Sequence, residues 1–239
     1  MKKIITTFTV IAMLIGILSL TCCGMKEIEA KLGLGYVLTD AQIDPTEEKD
    51  GAAESNLTVA AVLLDEKGRI MSVDIDALEM TVAITDSGKA TAPTDLKTKR
   101  ELGDEYGMKK AGAKLEWYEQ IDTLERFAKG KTVDEVKSLM ASDGKGPEGV
   151  KAVGCTIYVS DFIKAIEASA KNLKSVTVST KATVGVSVSA SATATDAVAD
   201  KNGSITVKHT FSANTEGGVQ SGNATKIFSF TKDGKKPSA

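Results

Sequence analysis

Residues 57–77, with the sequence LTVAAVLLDEKGRIMSVDIDA, contain the pattern that decides the fold. The stretch Leu57–Leu64 is almost wholly apolar and is followed by the turn sequence Asp65–Gly68. The next residues alternate between apolar and polar as far as Ala77, with one slip at Met71. Apolar runs that flank a short glycine-containing turn predict two antiparallel strands joined in a hairpin. We therefore expect an antiparallel sheet in the first part of the protein.

Further strands are expected on both sides of this hairpin. The segment Lys31–Leu38 has a strand pattern with two glycines, which indicates that another element packs closely on it. The apolar segment Met80–Ile84 predicts an additional strand. The acidic, turn-rich segment Asp40–Ser55 predicts a surface loop.

Between residues 94 and 172 the apolar residues follow a helical period. The segment Lys114–Lys129 is predicted to be an amphipathic helix that ends at Gly130. Its expected apolar stripe consists of Leu115, Tyr118, Ile121, Leu124 and Phe127.

Hydroxyl residues mark the starts of the other helical segments. Thr94 is expected to cap a segment that ends at Glu101, and Thr132–Glu135 has the form of a capping box. Ser160 is expected to cap a helix over Asp161–Leu173. The first unit thus combines an antiparallel sheet with about three helices, which is an α+β fold.

The composition changes after residue 173. Residues 174–232 are rich in Ala, Ser, Thr and Val and alternate as strands do, and residues 233–239 form a tail. The turn sequences Asp65–Gly68 and Asp200–Gly203 each precede an alternating strand. Residues 174–232 are therefore read either as a partial second copy of the domain 31–173 or as an unrelated β-rich unit, because two generic hairpins would give the same pattern.

Composition excludes several classes of protein. Hydrophobic residues make up 42% of the 239 residues and charged residues 26%, which is typical of a folded globular chain. The 30 basic and 32 acidic residues argue against a nucleic-acid-binding protein, which would carry a basic excess. With His209 as the single histidine, most histidine metal sites are excluded, and so is Ser-His-Asp chemistry near the N-terminus. We find no nucleophile–base set, so an electron carrier or binding protein is expected rather than an enzyme.

The N-terminus predicts a lipoprotein leader. Residues 1–22 combine a basic start with an uncharged apolar stretch, and Leu20-Thr21-Cys22-Cys23 resembles a bacterial lipobox. Cys23 is the predicted site of lipidation, with acyl chains such as palmitate, and Cys22 is the second choice. Residues 23–30 would tether the protein to the extracytoplasmic face of the cell membrane. An uncleaved signal anchor is the alternative.

Several strings in the centre of the chain resemble one family of proteins. They are residues 96–109 (LKTKRELGDEYGMK), 116–120 (EWYEQ), 130–136 (GKTVDEV) and 154–157 (GCTI), which lead into 161–163 (DFI). Together they resemble lipoproteins of Gram-positive anaerobes whose domains are similar to the FMN-binding domain. These are related to flavinylated lipoproteins of extracellular electron transfer. The resemblance covers roughly residues 31–172.

This resemblance implies a flavin site at residues 154–156. In flavinylated members, FMN is attached through its phosphate to the threonine of a Ser/Thr-Gly-Ala-Thr motif. Gly154 and Thr156 match that motif, Cys155 replaces the alanine, and Val153 replaces the hydroxyl residue. The resemblance implies FMN held covalently by Thr156 or non-covalently, with a flavin transferase and membrane redox partners. A scaffold without cofactor, in which residues 154–156 only pack, is the alternative.

Other polar and aromatic residues are possible ligand-binding groups but are expected to have structural roles. Lys97, Lys99, Arg100 and Lys109 could contact a phosphate, but such charges more often solvate a helix face. Trp117 and Tyr118 could stack on a flavin ring, but Tyr118 lies on the predicted core stripe. Asp74, Asp76 and Glu79 show no acid–base pairing, Cys155 is expected to be buried, and His209 is expected to be a plain strand residue.

Overall fold

A computed structural model describes residues 26–138, 144, 146 and 148–238. The predicted leader and the lipidation site Cys23 lie outside these residues. In the described part of the chain, no helix is both long enough and apolar enough to cross a membrane.

Within the described residues, eight strands form two antiparallel sheets. The first sheet has the strand order β4-β3-β2-β1-β5 and the second has the order β6-β7-β8. The strands are β1 Glu27–Ile43, β2 Gly51–Leu64, β3 Ile70–Ile84, β4 Ala90–Thr91, β5 Leu173–Ser179, β6 Gly185–Thr195, β7 Gly203–Thr215 and β8 Gly218–Phe230.

The predicted hairpin at residues 57–77 is confirmed and is the centre of the first sheet. Strands β2 and β3 pair antiparallel, and the Gly68 N–H donates to the Asp65 carbonyl to close the turn. The apolar run Leu57–Leu64 is continuous because β2 is buried on both faces: Val62 packs toward the helices and Val59 toward the second sheet.

Two expectations about this region are wrong. The segment Asp40–Ser55 is not a loop throughout, because β1 extends to Ile43 and β2 starts at Gly51. Met80–Ile84 is the end of β3 rather than a separate strand. In both cases cross-strand pairing carries the strand through residues whose local sequence is polar or irregular.

The β-rich segment after residue 173 contributes to both sheets. Its first strand, β5, pairs with β1, and only β6, β7 and β8 make the second sheet. The described residues from 174 onward contain no helix. The expected α+β class, with a C-terminal β-rich region, is confirmed.

Five helices are present in the described part of the chain. They are α1 Lys99–Leu102, α2 Trp117–Ala128, α3 Val133–Ser138, α4 Glu148–Ala152 and α5 Ser160–Ser169, and a 3-10 turn at Gly103–Tyr106 follows α1.

Of the three helix caps predicted at hydroxyl residues, one is right and two are wrong. At Thr132–Glu135 the capping box is formed as expected. Helix α1 is capped by Thr98 and not by Thr94, because only Thr98 has a glutamate three residues on. Helix α5 has Val159 as its N-cap, and Ser160 is its first residue. It also ends at Ser169, because the chain turns there to enter β5.

The molecule has three layers, with the first sheet in the middle. Helices α2 and α5 pack on one face of this sheet, and the second sheet packs on the other. Helix α5 lies directly on β1, where a Cβ on Gly35 would lie 2.1 Å from the Ser169 amide nitrogen. The glycines of Lys31–Leu38 therefore allow the helix to approach the strand backbone.

Candidate functional site

The loop between α4 and α5 contains the residues that the sequence singled out. Helix α4 ends in a Schellman arrangement: the Gly154 N–H donates to the Lys151 carbonyl, and the Cys155 N–H donates to the Val150 carbonyl. Gly154 has a φ of 112°, and a Cβ there would lie 2.6 Å from Leu115 Cδ1. Gly154 is thus required by the backbone conformation and by the close approach of Leu115.

Cys155 is part of the core. It is fully buried in the cluster that also contains Val150. Burial raises the pKa of its thiol to about 11, so the group is a neutral thiol at physiological pH. The expectation that Cys155 is a buried, unreactive residue agrees with this position.

Thr156 is the member of this trio whose side chain is exposed. Its backbone N–H donates to Gln120 Oε1 at 2.8 Å, and its Oγ1 lies 3.5 Å from the same oxygen. Gln120 itself is 1% exposed. The hydroxyl is therefore presented at the surface from a loop that is fastened to a buried helical residue.

Two exposed hydrophobic side chains flank Thr156. Val153 is 64% exposed and Tyr158 is 67% exposed, whereas Ile157 between Thr156 and Tyr158 packs against the core. The loop therefore combines the exposed Thr156 with an exposed apolar and an exposed aromatic side chain within six residues.

These residues fit a covalently held FMN. An accessible threonine hydroxyl suits a phosphoester, and Val153 and Tyr158 could cover part of a flavin ring. Surface cavities of about 660 and 600 Å³ in the described part of the chain are lined by other residues and not by Thr156.

The lysine side chains that could contact a phosphate form ion pairs with glutamates of this chain. Lys97 pairs with Glu105 and Lys109 with Glu119. Lys99 pairs with Glu79, and its ammonium also lies over the rings of Tyr106 and Trp117, at 4.9 and 5.8 Å from their centroids. The expectation that these charges solvate a helix face is therefore wrong: Lys97 and Lys109 form exposed ion pairs outside the helices, and Lys99 is largely covered.

Arg100 is the centre of an ion network that joins α1, α2 and β3. Its guanidinium lies 2.8 Å from Asp122, 2.5 Å from Glu125 and 3.4 Å from Asp74, and its Nε donates to the Ile75 carbonyl. Burial opposes the charged form, but these acids raise the pKa of Arg100. The network docks α1 on the edge of β3 and is not directed at the residue 153–158 loop.

Burial also affects the acidic members of this region. It raises the pKa of the Glu125 carboxyl to about 7, although Arg100 favours the ionised form. The pKa of Asp76 is raised as well, because this side chain is 6% exposed. Asp76 accepts hydrogen bonds from the backbone N–H groups of Ala77 and Arg100, which is a structural role.

The two aromatic residues of α2 both contact the core but differ in burial. Trp117 is 3% exposed and packs edge-on against Phe162, at 5.8 Å between ring centroids. Tyr118 lies at the margin of the core and donates through its hydroxyl to Asp104. The predicted apolar stripe is therefore right for Ile121 and Leu124, whereas Tyr118 is only partly buried and Trp117 is the fully buried aromatic residue.

Sequence reasoning missed Gln120 and underestimated His209. Both are polar and buried, with 1% and 0% exposure. The signal for Gln120 was its position three residues after Trp117, on the side of the helix that faces the core. Across the described residues, no group of three or more His, Cys, Asp or Glu side chains is arranged to hold a metal ion.

Comparisons with known proteins give one distant relative. No protein-family model matches the chain, and no solved structure matches it. Among curated proteins, it matches chlorophenol reductase of Desulfitobacterium hafniense, with 29% identity over 171 residues. The match covers 64% of this chain and 52% of the relative, so the chain spans about half the length of the curated relative it matches.

Proposed function

We propose that this protein is an extracytoplasmic lipoprotein that is anchored through Cys23 and carries FMN on Thr156 as an electron carrier. The observation that carries the proposal is the exposed Thr156 side chain, held by buried Gln120 and flanked by exposed Val153 and Tyr158. Of the two modes of binding, we propose covalent attachment, because Thr156 is exposed and a threonine hydroxyl suits a phosphoester.

Each residue of the loop has a defined part in this proposal. Thr156 Oγ1 forms the phosphoester, and Gly154 and Cys155 hold the loop through the helix cap and the core. Val153 and Tyr158 provide apolar contact for the ring. Bound FMN would supply one- and two-electron redox chemistry, while the protein sets its position and surroundings.

The lipid anchor would keep the carrier beside membrane redox partners. Cleavage before Cys23 removes Lys2 and Lys3 and leaves 28 basic and 32 acidic residues, so electrostatic attraction to anionic lipids is weak. Two acyl chains hold a protein stably where one gives only marginal binding. Strand β1 begins at Glu27, only four residues after the anchor, which would hold the body of the protein close to the membrane.

The name of the relative supports only a general redox role for this chain. It is named for a reductase activity on chlorophenol, and a reductase must receive electrons. Electron delivery is the part of such chemistry that we propose for this chain, and no substrate of the relative is assigned to it.

The experiment is co-expression of the full chain with a flavin transferase. We expect a yellow protein that fluoresces in a denaturing gel and gains the mass of one FMN less one water. Thr156→Val should abolish the label, whereas Thr225→Val, at an exposed threonine of the second sheet, should retain it.

A colourless wild-type protein that also fails to bind free FMN would contradict the proposal. It would support the second candidate, a cofactor-free surface lipoprotein with a binding or structural role. That alternative is favoured by one observation: Gly154 and Cys155 already have structural roles in the helix cap and the core.

A further inference from the structure

We propose that Gln120 is the positioning residue that presents the Thr156 hydroxyl for flavinylation. This inference rests on the proposed function and names a residue that the family motif does not contain. Gln120 lies 36 residues before Thr156 in the sequence, on α2, and the two meet only because the loop after α4 folds back onto that helix.

The buried amide of Gln120 has a fixed orientation. Its Nε2 donates to the Leu115 carbonyl at 3.1 Å and lies 3.7 Å from Met108 Sδ. Because the nitrogen is engaged with a carbonyl acceptor, the oxygen Oε1 points toward the loop that carries Thr156. A side chain that is 1% exposed has little freedom to rotate away from this arrangement.

The amide oxygen of Gln120, Oε1, lies near the backbone N–H and the hydroxyl of Thr156. The backbone N–H donates to it at 2.8 Å, which fixes the peptide. Thr156 Oγ1 lies 3.5 Å from Oε1, a long contact beside the short backbone bond. Because the peptide is fixed, the side chain of the exposed Thr156 starts from a defined backbone position.

The reaction that this geometry would serve is a phosphoryl transfer from flavin adenine dinucleotide, supplied together with a flavin transferase. A bond forms between Thr156 Oγ1 and the phosphorus next to riboflavin, and the pyrophosphate bond to adenosine monophosphate breaks. Adenosine monophosphate leaves, and the hydroxyl proton passes to the transferase or to water. No electrons are exchanged. An amide does not accept this proton at neutral pH, so Gln120 acts by orientation alone.

The test compares two buried residues on the same helix. Gln120→Met removes the acceptor but keeps the length of the side chain. Thr123→Val is the matched control, because Thr123 is 4% exposed and donates to the Glu119 carbonyl without touching Thr156. Each full-length variant is purified in detergent without flavin and is then incubated with a purified flavin transferase and flavin adenine dinucleotide.

Three quantities are measured: the rate of FMN incorporation, the hydrogen exchange of peptides spanning residues 153–158, and the thermal midpoint. For Gln120→Met we expect about tenfold slower labelling and about tenfold faster hydrogen exchange in this loop. Both changes correspond to the loss of roughly one hydrogen bond. The fall should be larger in kcat than in KM for the protein, because Gln120 is buried and is replaced without changing the exposed side chains of the loop. Thr123→Val should label within about twofold of wild type.

Gln120→Glu is the second variant, for use if Gln120→Met fails to fold. It keeps an oxygen acceptor and is expected to label within about threefold of wild type. Equal labelling of wild type and Gln120→Met, or equal slowing by Gln120→Met and Thr123→Val, would overturn the positioning role alone. If the wild type is never labelled, the proposed function is overturned, and the exchange experiment still reports whether Gln120 holds the loop.

Discussion

Ser55 Oγ and His209 Nε2 lie 2.9 Å apart and join the two sheets by a hydrogen bond across their interface. Both side chains are fully buried, and within the described residues His209 Nδ1 has no hydrogen-bond partner. Ser55 belongs to β2 and His209 to β7, so the bond connects segments 154 residues apart. The only histidine of the chain therefore lies where the C-terminal sheet docks on the first sheet.

This pair makes stability depend on pH in a defined direction. Burial lowers the pKa of His209 below its ordinary value of 6.5, so the unfolded chain binds the proton more readily. The contribution of neutral His209 to the free energy of unfolding should therefore be fully present above pH 6.5. It should decrease as the pH falls below 6.5, by at most about 1.4 kcal/mol per pH unit for one proton.

The measurement is urea unfolding between pH 5 and 8 for the wild type and for His209→Gln, which keeps a polar partner for Ser55. The difference between the two proteins should grow as the pH increases from 5 to 7 and then become constant. A difference that is constant across the whole range would contradict the prediction.

The contact of α5 with β1 gives a second prediction. Gly35→Ala should lower the free energy of unfolding by about 3 kcal/mol, because the added methyl group would meet the backbone of α5 at Ala165 and Ser169. Gly185→Ala is the control, since its nearest neighbour would be Asp74 Oδ2 at 3.9 Å. The control should change stability by less than about 0.5 kcal/mol. Equal effects of both substitutions in urea unfolding would contradict the packing described for α5.

The Arg100 network gives a third prediction. Arg100→Leu should lower stability by about 3 kcal/mol at pH 7, because Glu125 and Asp74 lose their partner while partly buried. The loss should be larger at pH 8 than at pH 6. Without Arg100 the pKa of Glu125 rises further above its ordinary value of 4.5, and stability is lost as the pH rises toward that folded-state value.

Lys97→Ala is the matched control for this experiment, because the Lys97–Glu105 pair is exposed. It should leave the urea midpoint unchanged at both pH values. If Arg100→Leu proved as stable as wild type, the network would have no role in docking α1.

A fourth prediction concerns the leader. Cys23→Ser should release the protein from membranes, because the thioether-linked acyl chains can no longer be attached. Cys22→Ser should remain in the membrane fraction, which separates the two candidate cysteines. Fractionation and immunoblotting measure this, and retention of Cys23→Ser would mean that residues 1–22 persist as a membrane anchor.

Local sequence signals predicted the parts of the fold that depend on neighbouring residues. The hairpin around Asp65–Gly68 and the capping box at Thr132–Glu135 both formed as expected, since each is closed by hydrogen bonds within a few residues. The alternation after residue 173 also predicted strands correctly. These signals placed the α+β class without any information about long-range contacts.

Long-range contacts account for what the sequence did not reveal. Strand β5 returns to pair with β1 across more than 140 residues, and no local pattern specifies that partner. The adjacent aromatics Trp117 and Tyr118 left the face of α2 ambiguous by one position, and packing against Phe162 selected Trp117. The link between Gln120 and Thr156 has the same origin, because it depends on where the loop after α4 is placed.

The central claim is that Thr156 carries FMN in the cell, and it is tested most directly on protein purified from the membranes of the organism that makes it. Trypsin should release residues 152–164, AVGCTIYVSDFIK, as one peptide. We expect this peptide to fluoresce as a flavin and to carry the mass of one FMN less one water on Thr156. An unmodified peptide 152–164, recovered in full from protein that is still anchored in the membrane, would contradict the account.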